Sequence, residues 1–151
     1  VRGYMQKLSE TGTYTVSDRV LRAVQAEFSC GFCTDAQGAQ TIGKTFRESR
    51  YLLDTHTAVA CTVLDAYRAE TSDQTLTVVE STASPFKFCA SVLDALGVTE
   101  HAPGTGVLGQ LTAETGRPAP GPLASLAGKP VRFDQVTDRG DMRAVVTEFL
   151  R

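Results

Sequence analysis

Apolar residues recur at helical spacing in five stretches of the chain. Val20, Leu21, Val24 and Phe28 follow Ser17, whose hydroxyl suits an N-cap. Thr34-Asp35-Ala36-Gln37 has the form of a capping box, with Ala39, Ile42 and Phe46 on one face of the helix it opens. Asp54 or Thr55 caps a third helix, faced by Val59, Val63, Leu64 and Tyr67. Ser84 and Pro85 start a fourth, as cap and first position, with Cys89, Val92, Leu93 and Leu96 as its buried stripe and Gly97 as its stop. A last helix is marked by Asp138 as cap and by Met142, Val145, Val146, Phe149 and Leu150. One run breaks the helical pattern. Thr75 to Glu80 (T-L-T-V-V-E) is mostly apolar and β-branched, as a strand covered on both faces is. Pro130 to Phe133 is a weaker strand candidate, preceded by a short helix within 122–128. Residues 97–122 are rich in Gly, Pro and Thr, lack periodicity and are expected to form a long loop.

About five helices and one or two strands make the expected fold class α/β, mostly helical. A strand apolar on both sides needs partners for its backbone groups, and this chain offers at most one weak partner, around Val131. The α-β-α order of residues 54–96 is that of a piece of a parallel sheet whose other strands lie outside the chain. Its 151 residues fit one domain-sized segment, 1–151, with a real core. The opening on Val1 rather than Met suits a chain that was processed, trimmed or cut from something larger.

Composition narrows the function classes. Fifteen Lys and Arg against 17 Asp and Glu give no basic footprint for nucleic acid. There is no apolar run of about 18 residues to span a membrane, and Val1-Arg2-Gly3-Tyr4-Met5 lacks the apolar core of a signal peptide. Four cysteines at irregular spacing do not make a secreted disulfide framework, so a reducing, cytoplasmic setting is expected.

Candidate chemistry gathers in two stretches. Glu80-Ser81-Thr82-Ala83-Ser84-Pro85-Phe86-Lys87-Phe88 lies at the carboxyl end of the expected strand and runs into a helix start, the edge where open α/β sheets bind ligands. Its hydroxyls and free helix N–H groups suit an anion or a polar ring atom. The plainer alternative is that Ser84 caps the helix while Ser81 and Thr82 satisfy turn backbone. The second stretch, Leu52 to Ala60, sets Asp54, Thr55 and His56 at a helix start, whose dipole favours a neutral imidazole. Here the plainer alternative is an Asp cap beside a half-exposed His.

Taken in order, Asp54-Thr55-His56-Thr57-Ala58-Val59-Ala60 and Ser81-Thr82-Ala83-Ser84-Pro85-Phe86-Lys87-Phe88 resemble the carboxyl-terminal part of the threonine synthase family, whose forms are close to D-P-H-T-A-V-G and T-A-H-P-A-K-F. Thr55 stands where the family has Pro and Ser84 where it has His, so no histidine chemistry carries over to position 84. The resemblance covers residues 1–96 well and the remainder loosely. It implies part of the large domain of a pyridoxal-phosphate enzyme of the tryptophan-synthase-β-like fold, one that converts O-phosphohomoserine and water to threonine and phosphate. It also implies that the Schiff-base lysine and the glycine-rich phosphate loop lie upstream, since Lys7, Lys44, Lys87 and Lys129 sit in no such pattern. No catalytic residue is then expected in this segment, which alone would be inactive and would need the rest of the chain as partner. The resemblance further implies that the Thr82 hydroxyl meets the cofactor's pyridine nitrogen, with Ser81 and Ala83 shaping the turn beside it. Asp54 and His56 are expected near the active cleft. Lys87 is either a phosphate contact or a surface lysine at a helix start.

Other signals carry less. Gly104 to Gly109 matches G-x-G-x-x-G, but Pro103 precedes it and residues 110–120 give no helical pattern. Ala127-Gly128-Lys129-Pro130 lacks the upstream glycine and the hydroxyl of a P-loop. Cys30 and Cys33 have zinc or redox spacing without a second pair, and read as small buried residues between helices; Cys61 and Cys89 read as core, and no metal is expected. The alternative to an enzyme segment is a stand-alone α/β binding module that dimerises through an open sheet edge at Val78.

Overall fold

The computed structural model describes residues 1–150. Eight α-helices run along them: α1 (Arg2–Thr11), α2 (Asp18–Gln25), α3 (Asp35–Ser49), α4 (Thr55–Thr71), α5 (Cys89–Ala95), α6 (Gly106–Thr115), α7 (Gly121–Ala124) and α8 (Met142–Phe149). Two one-turn 3₁₀ helices, Pro85–Lys87 and Leu126–Gly128, complete the order. The chain divides into two compact units, Val1–Leu96 and Gly97–Arg151, the break falling at the glycine expected to stop α5.

Local chemistry sets the helix starts of the first unit. Ser17 Oγ accepts from Val20 N–H at 3.5 Å. Thr34 and Gln37 close a reciprocal capping box, with Thr34 N–H donating to Gln37 Oε1 at 2.8 Å and Gln37 N–H to Thr34 Oγ1 at 3.3 Å. Asp54 rather than Thr55 caps α4. Ser84 does cap a helix, with Pro85 at its first position, but that helix is a single 3₁₀ turn before α5 begins at Cys89.

The core lies where α3 packs against α4 and α5. Ile42 and Phe46 from α3, Leu52 and Leu53 from the following turn, Ala58 from α4, Phe86, and Cys89, Val92 and Leu93 from the α5 region are all buried. The Thr41 and Thr62 hydroxyls, 2.7 Å apart, tie α3 to α4. Gly43 lets α3 approach α5 closely: a Cβ there would lie 2.7 Å from the Ala95 carbonyl oxygen and 3.0 Å from Arg47 Nη1. Alanine at position 43 gains about 1 kcal/mol of helix propensity, but the backbone carbonyl has no rotamer in which to yield. Gly43→Ala is therefore expected to destabilise this unit by about 1–3 kcal/mol, read as a lower denaturation midpoint at unchanged slope. A rise in the midpoint would mean that α3 and α5 separate freely.

Four expectations are corrected. No strand forms among the described residues, at Thr75–Glu80 or at Pro130–Phe133. The first run forms neither helix nor strand, and Leu76 is 93% and Val78 85% exposed, because the described chain supplies no neighbour for a ladder. It is tethered instead to α4, where Arg68 Nη2 donates to the Thr75 carbonyl and to Thr77 Oγ1, each at 3.2 Å. Residues 97–122 are not one long loop, since they contain α6 and the start of α7. The start of α6 is braced from the side: Gln110 Nε2 donates to the Glu100 carbonyl at 2.6 Å, and Ala102 N–H donates to Gln110 Oε1 at 2.8 Å. Only the second half of the Gly104–Gly109 motif, from Gly106 onward, is therefore helical, and no strand leads into it. Cys30 is exposed and Cys33 half-buried, rather than both buried. Finally, Asp138 does not cap α8; its carbonyl accepts from Asp141 N–H at 3.0 Å, and the N-cap position is Asp141.

Candidate functional site

The two stretches singled out in the sequence meet in the folded chain. Asp54, at the N-cap of α4, is 1% exposed. Its Oδ1 accepts from the backbone N–H of His56 at 2.9 Å and of Thr57 at 3.3 Å. Its Oδ2 accepts from the Thr57 hydroxyl, and from Ser81 Oγ at a long 3.5 Å. The Thr57 and Ser81 hydroxyls are themselves 3.1 Å apart, so Ser81 is held chiefly through Thr57. Burial pushes the Asp54 pKa up, but the Thr57 hydroxyl, the two amides and the nearby His56 outweigh it and hold the carboxyl below its ordinary value. The result is an anchored carboxylate that fixes the start of α4 and reaches across to the residue before Thr82.

A second bridge joins the same stretches. The His56 imidazole is mostly exposed, with Nδ1 3.4 Å from Asp54 Oδ1. Its ring centroid lies 5.1 Å from that of Phe88, at an interplanar angle of 55°. Lys87 is exposed, with Nζ 5.6 Å from the Phe88 ring centroid. His56 and Phe88 line a cleft of about 550 Å³, along with Cys33, Thr34, Asp35 and Asp94. Ser81, Thr82 and Ala83 are not among its lining residues.

The expected site residues therefore fall into two groups. Asp54, His56 and Ser81 come together, while Lys87 stands beside Phe88 at the surface. Thr82 is exposed and its hydroxyl has no hydrogen bond among the described residues; Ala83 is half-buried. Ser84 Oγ accepts from Phe86 N–H at 3.3 Å, so the plainer capping role holds for Ser84 but not for Ser81. Thr57 was missed as a site residue, although its place three positions after an Asp cap is the signal that reveals it.

The remaining polar groups add little chemistry. Burial raises the thiol pKa of Cys61, with Asp65 and Asp54 adding to it. Burial likewise raises that of Cys89, partly offset by a backbone hydrogen bond. Both are thus poor thiolates at neutral pH. Among the described residues no group of three or more His, Cys, Asp or Glu could hold a metal, and no helix is long and apolar enough to cross a membrane.

Comparison with known proteins gives a consistent result. Residues 57–147 match the family model described as threonine synthase, C-terminal. The chain is 28% identical to threonine synthase of Saccharomyces cerevisiae over 101 residues, 64% of this chain and 20% of the yeast protein. It is 32% identical to threonine synthase of Schizosaccharomyces pombe over 94 residues, 62% of this chain and 18% of that protein. The crystal structure of PLP-bound threonine synthase from Brucella melitensis aligns with a TM-score of 0.69 at 29% identity, covering 99% of this chain and 27% of that one. The chain thus spans about a quarter or less of the length of these relatives.

Proposed function

The chain belongs to the threonine synthase C-terminal family, and on that premise we propose that it forms one wall of the cofactor site in a cytoplasmic threonine synthase. The whole enzyme converts O-phosphohomoserine and water to L-threonine and phosphate; the rest of the protein provides the Schiff-base lysine and the phosphate loop. The observation that carries this reading is the Asp54–Thr57–Ser81 junction, which joins the two family stretches and leaves the next hydroxyl, that of Thr82, exposed and unengaged. Two further features support it. All four lysines are exposed, whereas a Schiff-base lysine is characteristically desolvated. The run from Thr75 to Glu80 has the composition of a strand and leaves Leu76 and Val78 exposed, open to neighbours from the remainder of the protein.

The residues present fit pyridoxal 5′-phosphate on one side. A free neutral hydroxyl at Thr82 is suited to hydrogen-bond a pyridine nitrogen, and Ala83 leaves the turn beside it narrow. When bound, pyridoxal phosphate supplies an electron sink for carbanionic steps. Thr82 orients the ring without a negative charge, and so does not favour protonation of its nitrogen as a carboxylate would. Ser81 holds the turn, and Asp54 holds Ser81 by way of Thr57. His56 and Lys87 lie on the neighbouring surface, where Lys87 can contact a phosphate. The segment alone, with no such lysine, is inactive.

Replacing Thr82 by alanine in the full-length protein tests this reading. Turnover is expected to fall by about tenfold, as loss of one hydrogen bond of about 1.4 kcal/mol implies. Stability should move by no more than about 0.5 kcal/mol, because the side chain is exposed. Unchanged turnover would remove Thr82 from the site.

A further inference from the structure

We infer that Asp54 and Thr57 are positioning residues for the cofactor contact, acting through the Ser81 hydroxyl to fix the turn that presents Thr82. This rests on the reading of Thr82 given above and extends it to groups that never touch the cofactor. Three observations support it. The Asp54 carboxylate is 1% exposed, and Thr57 is 4% exposed. The pair is buried, whereas Ser81 and Thr82 on the turn it holds are exposed. Thr57 Oγ1 and Ser81 Oγ are 3.1 Å apart across 24 residues of sequence, so the bond links α4 to the start of the Ser81–Phe88 stretch rather than capping a helix locally. The carboxylate also orders the hydroxyl protons: with the single Thr57 proton given to Asp54, the Ser81 proton has two acceptors, Thr57 Oγ1 at 3.1 Å and Asp54 Oδ2 at 3.5 Å, and both arrangements end on Asp54. A carboxylate that cannot donate sets the direction of every donor in the chain.

Helix capping alone would require only the contacts of Asp54 with the His56 and Thr57 amides. The link to Ser81 is additional to that need. It ends one residue before the free hydroxyl.

The test uses the full-length protein and pyridoxal phosphate itself, with cofactor affinity and the absorption maximum of the bound cofactor as readouts. Ser81→Ala is expected to raise Kd for pyridoxal phosphate roughly fivefold, the equivalent of one ordinary hydrogen bond. It should displace the absorption maximum in the same direction as Thr82→Ala, while thermal unfolding stays near that of the parent because Ser81 is exposed. Thr57→Val should reproduce both changes, and Thr57→Ser, which keeps the hydroxyl, should restore them. A Ser81→Ala protein with parental affinity and spectrum, beside a Thr82→Ala protein that has lost both, would overturn the positioning role alone. A silent Thr82→Ala would sink the reading of Thr82, and the positioning role with it. Should Thr57→Val fail to fold, the Ser81→Ala comparison still decides the matter.

Discussion

Truncating Leu93 to alanine is expected to destabilise the Val1–Leu96 unit by about 2–5 kcal/mol. Leu93 is fully buried, at 0% exposure, on the face of α5 that belongs to the core with Ile42, Phe46 and Val92. Removing its branched end loses the transfer free energy of the deleted carbons and leaves a cavity. The neighbouring helix cannot collapse into that space, because α3 and α5 are already in close contact at Gly43 and Ala95. In native-state hydrogen exchange, amides of α4 and α5 that open only with the whole unit should exchange roughly 30-fold to several thousand-fold faster. Leu93→Met, which nearly conserves volume, should cost less than about 1.5 kcal/mol. Unaltered exchange in the alanine protein would show that the core is assembled elsewhere.

Asp54→Ala is expected to cost about 2–4 kcal/mol, from two separable sources. Loss of the N-cap of α4 accounts for about 1 kcal/mol. The rest comes from leaving the buried Thr57 hydroxyl without its acceptor, a penalty of about 1–3 kcal/mol. The charge also writes itself into the pH dependence. Because the folded carboxyl has a pKa below the ordinary value, its contribution is fully present at neutral pH. As pH falls below about 3.9, the unfolded chain takes up the proton first, and the contribution is lost as pH passes down through the lower folded value. Acid unfolding of the parent should therefore steepen in that range. In Asp54→Asn, which keeps an oxygen for the two amides but cannot titrate, that part of the slope should vanish. Equal acid slopes for the parent and Asp54→Asn would show that the carboxyl is not stabilised by folding.

How far the fold was legible depended on how local its cause was. Caps at Ser17, at Thr34 and at Asp54 or Thr55 were readable because a cap is a side chain bonding to backbone two or three residues away, and Asp54 is the one that does so in the third case. The stripe of Cys89, Val92 and Leu93 was readable because helical period alone places it on one face. α1 was not, since Tyr4, Met5 and Leu8 make a thin apolar face and none of its residues is buried. Nor was α6, where Gly106 and Gly109 lower helix propensity while burial of Leu111 and Thr115 and the bracing by Gln110 favour the helix. Thr75–Glu80 has the composition of a strand, but ladder pairing depends on neighbours that no short-range pattern can supply.

The candidate site divides the same way. The sequence alone identified the two stretches that resemble threonine synthase, their order, and the residues Asp54, His56, Ser81 and Thr82 within them. It also narrowed the cap of α4 to Asp54 or Thr55, because residue type and spacing constrain interactions that close within one helical turn. Only the tertiary structure decided that Thr57 is the link, that Ser81 turns toward Asp54 rather than satisfying its own turn, and that Thr82 is left unengaged. Those outcomes depend on which hydroxyl of one stretch comes within 3.1 Å of a hydroxyl 24 residues away. That distance is set by the packing of the helices around the core, and sequence spacing carries no information about it.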